Sequence, residues 1–194
     1  MHLDHASRLD FVLTLRRRWS DTLYVELAQQ VGDADGEPSE VVGELPLHGW
    51  FAWLERASQK MLWCATQAVV LDEGPSHNSQ PDHGVGSLDL NPDLELPDWY
   101  TAWDIHMQPG GIWRNRTTAE VYELGAKLVM LGGNDDYLFH TLFAETSVPH
   151  RDYGRIVDLG CGFGKSAWPF ARLYPDAEVI GIDLAAPSFE VTAE

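Results

Sequence analysis

The chain is predicted to be an α/β protein: the start of a doubly wound parallel sheet, preceded by a mainly helical N-terminal region. Three observations carry this. Ile156, Val157 and Leu159 make a short apolar run that stops at Gly160, Gly162 and Gly164. A helical pattern over 165–174 follows, and a second apolar run, 178–182, then ends in Asp183. Upstream of residue 155, apolar residues recur every three or four positions, the helical period. Strand, glycine loop, helix, strand, acid is the order of a βαβ unit.

The N-terminal region spans 1–98. Residues 6–31 are expected to form a helix with Val12, Leu15, Trp19, Leu23 and Leu27 on one face. Arg16, Arg17 and Arg18 form a basic cluster, read as a solvated helix face. Residues 32–46 are polar with Gly and Pro, so a loop is expected. A second helix is expected over 50–70. Trp50, Trp53, Leu54, Ala57, Met61, Cys64, Ala65 and Ala68 form its apolar stripe, which suits packing. Residues 72–98 are rich in loop-forming residues. His77 and His83 stand there as a pair, too few ligands for a metal site.

The segment 99–154 opens with aromatic residues: Trp99, Tyr100, Trp103 and Trp113. Pro109-Gly110 is a turn signal. Thr117 to Glu120 matches a capping box, opening a helix that should end at Gly132-Gly133. Asn134 or Asp135 should cap a further helix through about Thr146. Residues 155–194 hold the βαβ unit.

The loop between the strands is where chemistry is expected. Glycines let the backbone turn sharply and come close to a ligand. Asp183 ends the second strand, where its oxygens can accept hydrogen bonds from ribose hydroxyls. It follows Gly164 by 19 residues, near the ~20 typical of such an acid in nucleotide-binding units. A Walker loop needs a first Gly where Leu159 stands, so that reading fails. A dinucleotide fingerprint fits poorly, because Gly160-x-Gly162 is followed by Gly at 164 and not at the spacing its third glycine needs.

Asp158-Leu-Gly-Cys-Gly-Phe-Gly164, followed by Gly181-Ile-Asp-Leu184, closely resembles motif I and the following acidic motif of class I (Rossmann-like) S-adenosylmethionine-dependent methyltransferases. The two blocks cover about residues 155–184. The resemblance implies S-adenosyl-L-methionine as cofactor. Asp158 and the loop of Gly160, Cys161, Gly162 and Gly164 would hold its methionine part. Asp183 would bind the ribose hydroxyls and Leu184 one face of the adenine. The segment before motif I would form a helical lid, with Trp99, Tyr100, His106, Trp113 and Arg114 as residues of interest. His106 is the one candidate for a catalytic base. Such a sheet has more than two strands. The sequence is therefore expected to be the N-terminal part of such an enzyme. A missing C-terminal half, or a second chain, would complete the sheet.

Composition narrows the partners. Lys and Arg number 13 against 30 Asp and Glu, a net charge of −17. Such a surface repels phosphate backbones and anionic membranes, so a small-molecule methyl acceptor is expected. Two cysteines with no metal or disulfide spacing fit a reduced cytoplasm. No signal-peptide layout and no apolar run long enough to span a bilayer is present. Two competing readings stand beside methyl transfer: a fragment of an NAD(P)-dependent oxidoreductase, and a non-catalytic fragment that pairs with another chain.

Overall fold

The structure is a computed structural model that describes residues 1–74, 86–131, 133, 134 and 137–192. His77, His83, Gly132 and Asp135, singled out above, lie outside the described residues.

The first helical run is longer than expected. Helix α1 (Leu3–Trp19) passes through a π-helical turn, Ser20–Tyr24, into α2 (Val25–Asp33). Thr22 Oγ1 donates to the Arg18 carbonyl at 2.6 Å inside that turn. Leu9, Val12, Trp19 and Leu27 are buried along this run. The expected loop over 32–46 instead contains α3 (Pro38–Glu44). Pro38 at its first turn has the φ a helix start needs and gives up an N–H that would have no partner there. Helix α4 (Pro46–Glu73) uses the same device at Pro46.

The face that α4 buries also differs from the expected stripe. Ser58, Leu62, Trp63, Thr66, Val69 and Val70 are buried, whereas Trp50, Trp53, Met61 and Cys64 are exposed. The buried face is chosen by two partners. Leu62 and Val69 meet Leu9 and Val12 of α1. Trp63 and Val70 meet Val121 of α6 (Arg116–Leu128). Gly125 makes that second contact possible, because a Cβ there would overlap the Trp63 ring.

Arg16 corrects the expectation of a solvated basic cluster. It is 7% exposed, donates to Ser58 Oγ at 3.3 Å and lies over the Trp19 ring. Trp19 Nε1 donates to the same oxygen at 3.0 Å. Burial pushes the guanidinium pKa down, partly offset by Glu55. Arg17 and Arg18 do face solvent.

After α5 (Asp98–Thr101) and a 3-10 turn at Ile105–Met107, α6 opens one residue pair earlier than the sequence pattern suggested. Asn115 is its N-cap and exchanges hydrogen bonds with Thr118 in a capping box. Glu120 instead pairs with Arg116 at 2.9 Å. Helix α7 (Leu138–Thr146) starts after a left-handed Tyr137. Asn134 still serves its first turn, accepting the Phe139 N–H at 2.8 Å.

Strands β1 (Arg155–Leu159) and β2 (Glu178–Ile182) pair in parallel, Arg155 opposite Glu178 through Leu159 opposite Ile182. They are the only strands among the described residues. Helices α8 (Ala167–Leu173) and α9 (Ala186–Thr192) follow them. Helix α8 packs on β2 and α7, and α9 packs on α6. One sheet face, with Ile156 and Asp158, is half-buried, while Val157, Leu159 and Ile182 on the other face are exposed. Among the described residues no helix is long and apolar enough to cross a membrane.

Candidate functional site

The glycine loop takes the shape its sequence requires. Gly160, Gly162 and Gly164 all have positive φ, +78°, +56° and +86°. Side chains rarely adopt this conformation because Cβ meets the following carbonyl. The turn is tied to the end of β2: Gly160 N and Cys161 N both donate to the Ile182 carbonyl, at 2.7 and 3.3 Å.

Asp183 sits at the centre of this arrangement. Its Oδ2 accepts the Gly162 N–H at 2.8 Å and its Oδ1 accepts the Ala185 N–H at 2.7 Å. Each carboxylate oxygen carries a second acceptor site. The residue is thus fixed in place while keeping capacity for a ligand's hydroxyls. Asp158 is held differently. Ser166 Oγ donates to its Oδ2 at 2.6 Å, which accounts for a half-buried carboxylate at a strand end.

Beside the loop lies a cavity of about 470 Å³, lined by Tyr100, His106, Ile112, Tyr122, Leu159, Gly160, Gly162, Ile182, Asp183 and Leu184. Of the sequence-predicted site residues it gathers Gly160, Gly162, Asp183, Leu184 and His106. Asp158, Cys161 and Gly164 are not on its wall. Cys161 is buried, and a Cβ on Gly181 would come within 2.8 Å of its sulfur, so it packs the loop against β2. Burial first, then Asp183 and Asp158, push its thiol pKa up to about 11.

The aromatic segment contributes unevenly. Tyr100 is buried in the cavity wall, while Trp99 and Trp103 are exposed and Arg114 lies over the Trp113 ring. Burial, then Asp183 and Tyr122, push the Tyr100 hydroxyl pKa up to about 12. Tyr122 is the residue the sequence reading missed. It falls within the helical period of α6, where an aromatic reads as packing. Only the fold brings it within 3.3 Å of the position a Gly162 Cβ would take. Its ring stacks on His106 at 5.8 Å and on Trp63 at 6.2 Å.

His106 is presented by a strained loop. His106 and Met107 both have left-handed φ, +59° and +65°. Such strain persists only where surrounding contacts over-determine it. Here Asp104 accepts the Gly110 N–H at 3.0 Å, and the fully buried Gln108 donates to the Thr118 and Gly111 carbonyls at 2.6 and 3.2 Å. Burial first, then Lys165, hold the His106 pKa below the usual histidine value. Among the described residues no cluster of three or more His, Cys, Asp or Glu could hold a metal ion.

Comparison with known proteins places methyltransferases among the relatives. No family model matches the chain. No solved structure matches it. A secondary metabolism regulator, laeA, of Aspergillus fumigatus is 30% identical over 132 residues, 60% of this chain and 33% of that protein. A protein-methionine methyltransferase, laeA, of Emericella nidulans is 47% identical over 55 residues, 25% of this chain and 15% of that protein. A trans-aconitate 2-methyltransferase of Deinococcus radiodurans is 44% identical over 39 residues, 20% of this chain and 15% of that protein. The chain spans at most about a third of the length of these relatives. It is similar to methyltransferases at low identity and partial coverage.

Proposed function

We propose that the chain is the cofactor-binding part of an S-adenosylmethionine-dependent methyltransferase that acts on a small-molecule acceptor. The observation that carries this is the hydrogen-bonded pair of glycine loop and Asp183 on the wall of the 470 Å³ cavity. That volume lies in the range of small-molecule sites, about 300–1,000 Å³. The residues fit the cofactor. A Cβ on Gly160 would meet no protein atom within 4 Å, which leaves the loop open to a ligand at closest approach. Asp183 offers acceptors to a ribose diol, and Leu184, Ile182 and Ile112 offer apolar surface to an adenine.

When bound, S-adenosylmethionine supplies a methyl already activated by its sulfonium. The protein's task is then alignment in a dry site. Burial, then Lys165, favour the neutral form of His106, which lines the cavity. It is suited to take the proton that an acceptor hydroxyl or amine gives up. The strong negative charge disfavours nucleic acid as acceptor. The apolar face of Val157, Leu159 and Ile182 supports a further partner, either more of the same protein or a second chain. Isothermal titration with S-adenosylhomocysteine and with NADH tests the reading. Binding of the first alone is expected; binding of NADH alone would favour the oxidoreductase.

A further inference from the structure

Helix α4 carries a second apolar face beside the one it buries. Between Trp50 and Leu71 it places Leu54, Ala57, Met61, Cys64 and Ala68 at alternating steps of four and three residues. With Trp53, these residues fill one side of the helix and no polar residue interrupts them. The packed clusters of the described residues use the other sides. Leu62 and Val69 turn to α1, and Trp63 and Val70 to α6. Trp50, Trp53, Met61 and Leu71 are 64%, 60%, 39% and 65% exposed, and Cys64 is exposed as well. A strict alternation of four and three, held over three heptads, is the seam of a two-stranded coiled coil. An isolated surface helix needs no such repeat.

Charge indicates what the seam meets. A chain of net charge −17 repels its own copy over most of its surface. Residues 50–71 hold one acid, Glu55, against Arg56 and Lys60, so on this face that repulsion is absent. The order of side chains is also self-complementary when two copies run antiparallel about a two-fold axis at Met61. Trp50 then stands opposite Leu71 of the second copy, Leu54 opposite Ala68, and Ala57 opposite Cys64. The small residues on either side of the axis let the backbones approach, and the flexible methionines fill what is left between them. Antiparallel helix dipoles attract. Parallel pairing would instead align the dipoles and set Arg56 level with its own copy. Lys60, near the axis, is already paired with Asp104 of its own chain at 3.5 Å.

We propose that the Trp50–Leu71 seam of α4 is the contact face of a two-fold symmetric dimer in which the two α4 helices pair antiparallel, centred on Met61. Such a contact is isologous and closes on itself. It is independent of the methyl-donor reading. Trp63, which stacks on Tyr122 of the cavity wall, projects from the opposite side of α4, so pairing leaves the cavity open.

Sedimentation velocity over a concentration series tests this in the Val157→Lys chain, where the exposed sheet face no longer contributes. A dimer and no larger species is expected. Met61→Glu in the same chain sets two carboxylates together on the axis and should weaken the dimer by about 100-fold or more. Leu71→Glu should weaken it too, whereas Leu138→Glu, an equal charge change on α7, should not. Register is read separately by oxidative cross-linking. Ala57→Cys should give a disulfide between the introduced thiol and Cys64 of the second copy. Within one chain these positions are seven residues apart on a helix, about 10 Å, too far to bridge. A Cys64–Cys64 cross-link in its place would mean parallel pairing and overturn the proposal. A monomer at every concentration would assign the seam to a different chain and overturn it as well. So would a dimer that survives both Met61→Glu and Leu71→Glu, or that Leu138→Glu weakens as much. Thermal melts identify any variant that has unfolded, and the cross-link supplies a readout that needs no disruptive substitution.

Discussion

The Gly162 N–H donates to Asp183 Oδ2 at 2.8 Å, joining the middle of the glycine loop to the end of the second strand. These residues are 21 apart in sequence. The bond means that Asp183 shapes the loop as well as facing the cavity. Replacing it should therefore act on both loop order and ligand affinity.

Asp183→Ala is expected to weaken S-adenosylhomocysteine binding by about 1–3 kcal/mol, since hydroxyl donors lose a charged acceptor. It should also lower the melting temperature of the free chain, because the Gly162 and Ala185 N–H groups lose their acceptor. Titration and a thermal melt read the two effects separately. Unchanged affinity would remove Asp183 from the site.

Gly162→Val is expected to abolish binding. The φ of +56° costs an ordinary residue about 1–2 kcal/mol. The added Cβ would also stand 3.3 Å from the Tyr122 ring, on the wall of the cavity. A folded Gly162→Val variant with native affinity would contradict the proposed loop role.

Gly125→Ala sets two effects against each other. Alanine gains about 1 kcal/mol of helix propensity over glycine. Its Cβ would overlap the Trp63 ring, and overpacking a core costs about 1–3 kcal/mol. Overlap with a buried indole favours the larger figure, so net destabilisation is expected. Chemical denaturation followed by tryptophan fluorescence measures it, and a stabilised variant would show that α6 and α4 separate freely.

His106 and His140 should titrate below the usual value of 6.5, in both cases through burial first and Lys165 second. The folded chain then holds these protons less readily than the unfolded chain. Their contribution to stability is complete above pH 6.5 and is lost as pH falls through the folded values. Imidazole NMR titration should show both depressed, and Lys165→Met should move both upward. An unmoved His106 would disconnect it from the lysine.

Val157, half exposed on the apolar sheet face, should drive self-association of the chain. Val157→Lys should reduce concentration-dependent association in sedimentation velocity and leave the cavity untouched. Association that is unchanged in the variant would point to another surface.

Local chemistry was legible in the sequence. The strands at 155–159 and 178–182 stand where their apolar runs lie, and the glycines turn where side chains could not follow. Asp183 ends its strand as the motif implies. These features depend on φ preferences and on residues a few positions apart, so sequence alone carries them. The face of α4 that packs was not legible, because α1 and α6 choose it from more than 40 residues away and pass over Trp50 and Trp53. Arg16 is buried because Ser58 offers it an oxygen across two helices. Tyr122 joins the cavity because Gly125 lets α6 approach Trp63 closely, and the left-handed turn at His106 brings an imidazole over its ring. Sequence periodicity records that a residue has an apolar face, but only tertiary packing decides which neighbour that face meets.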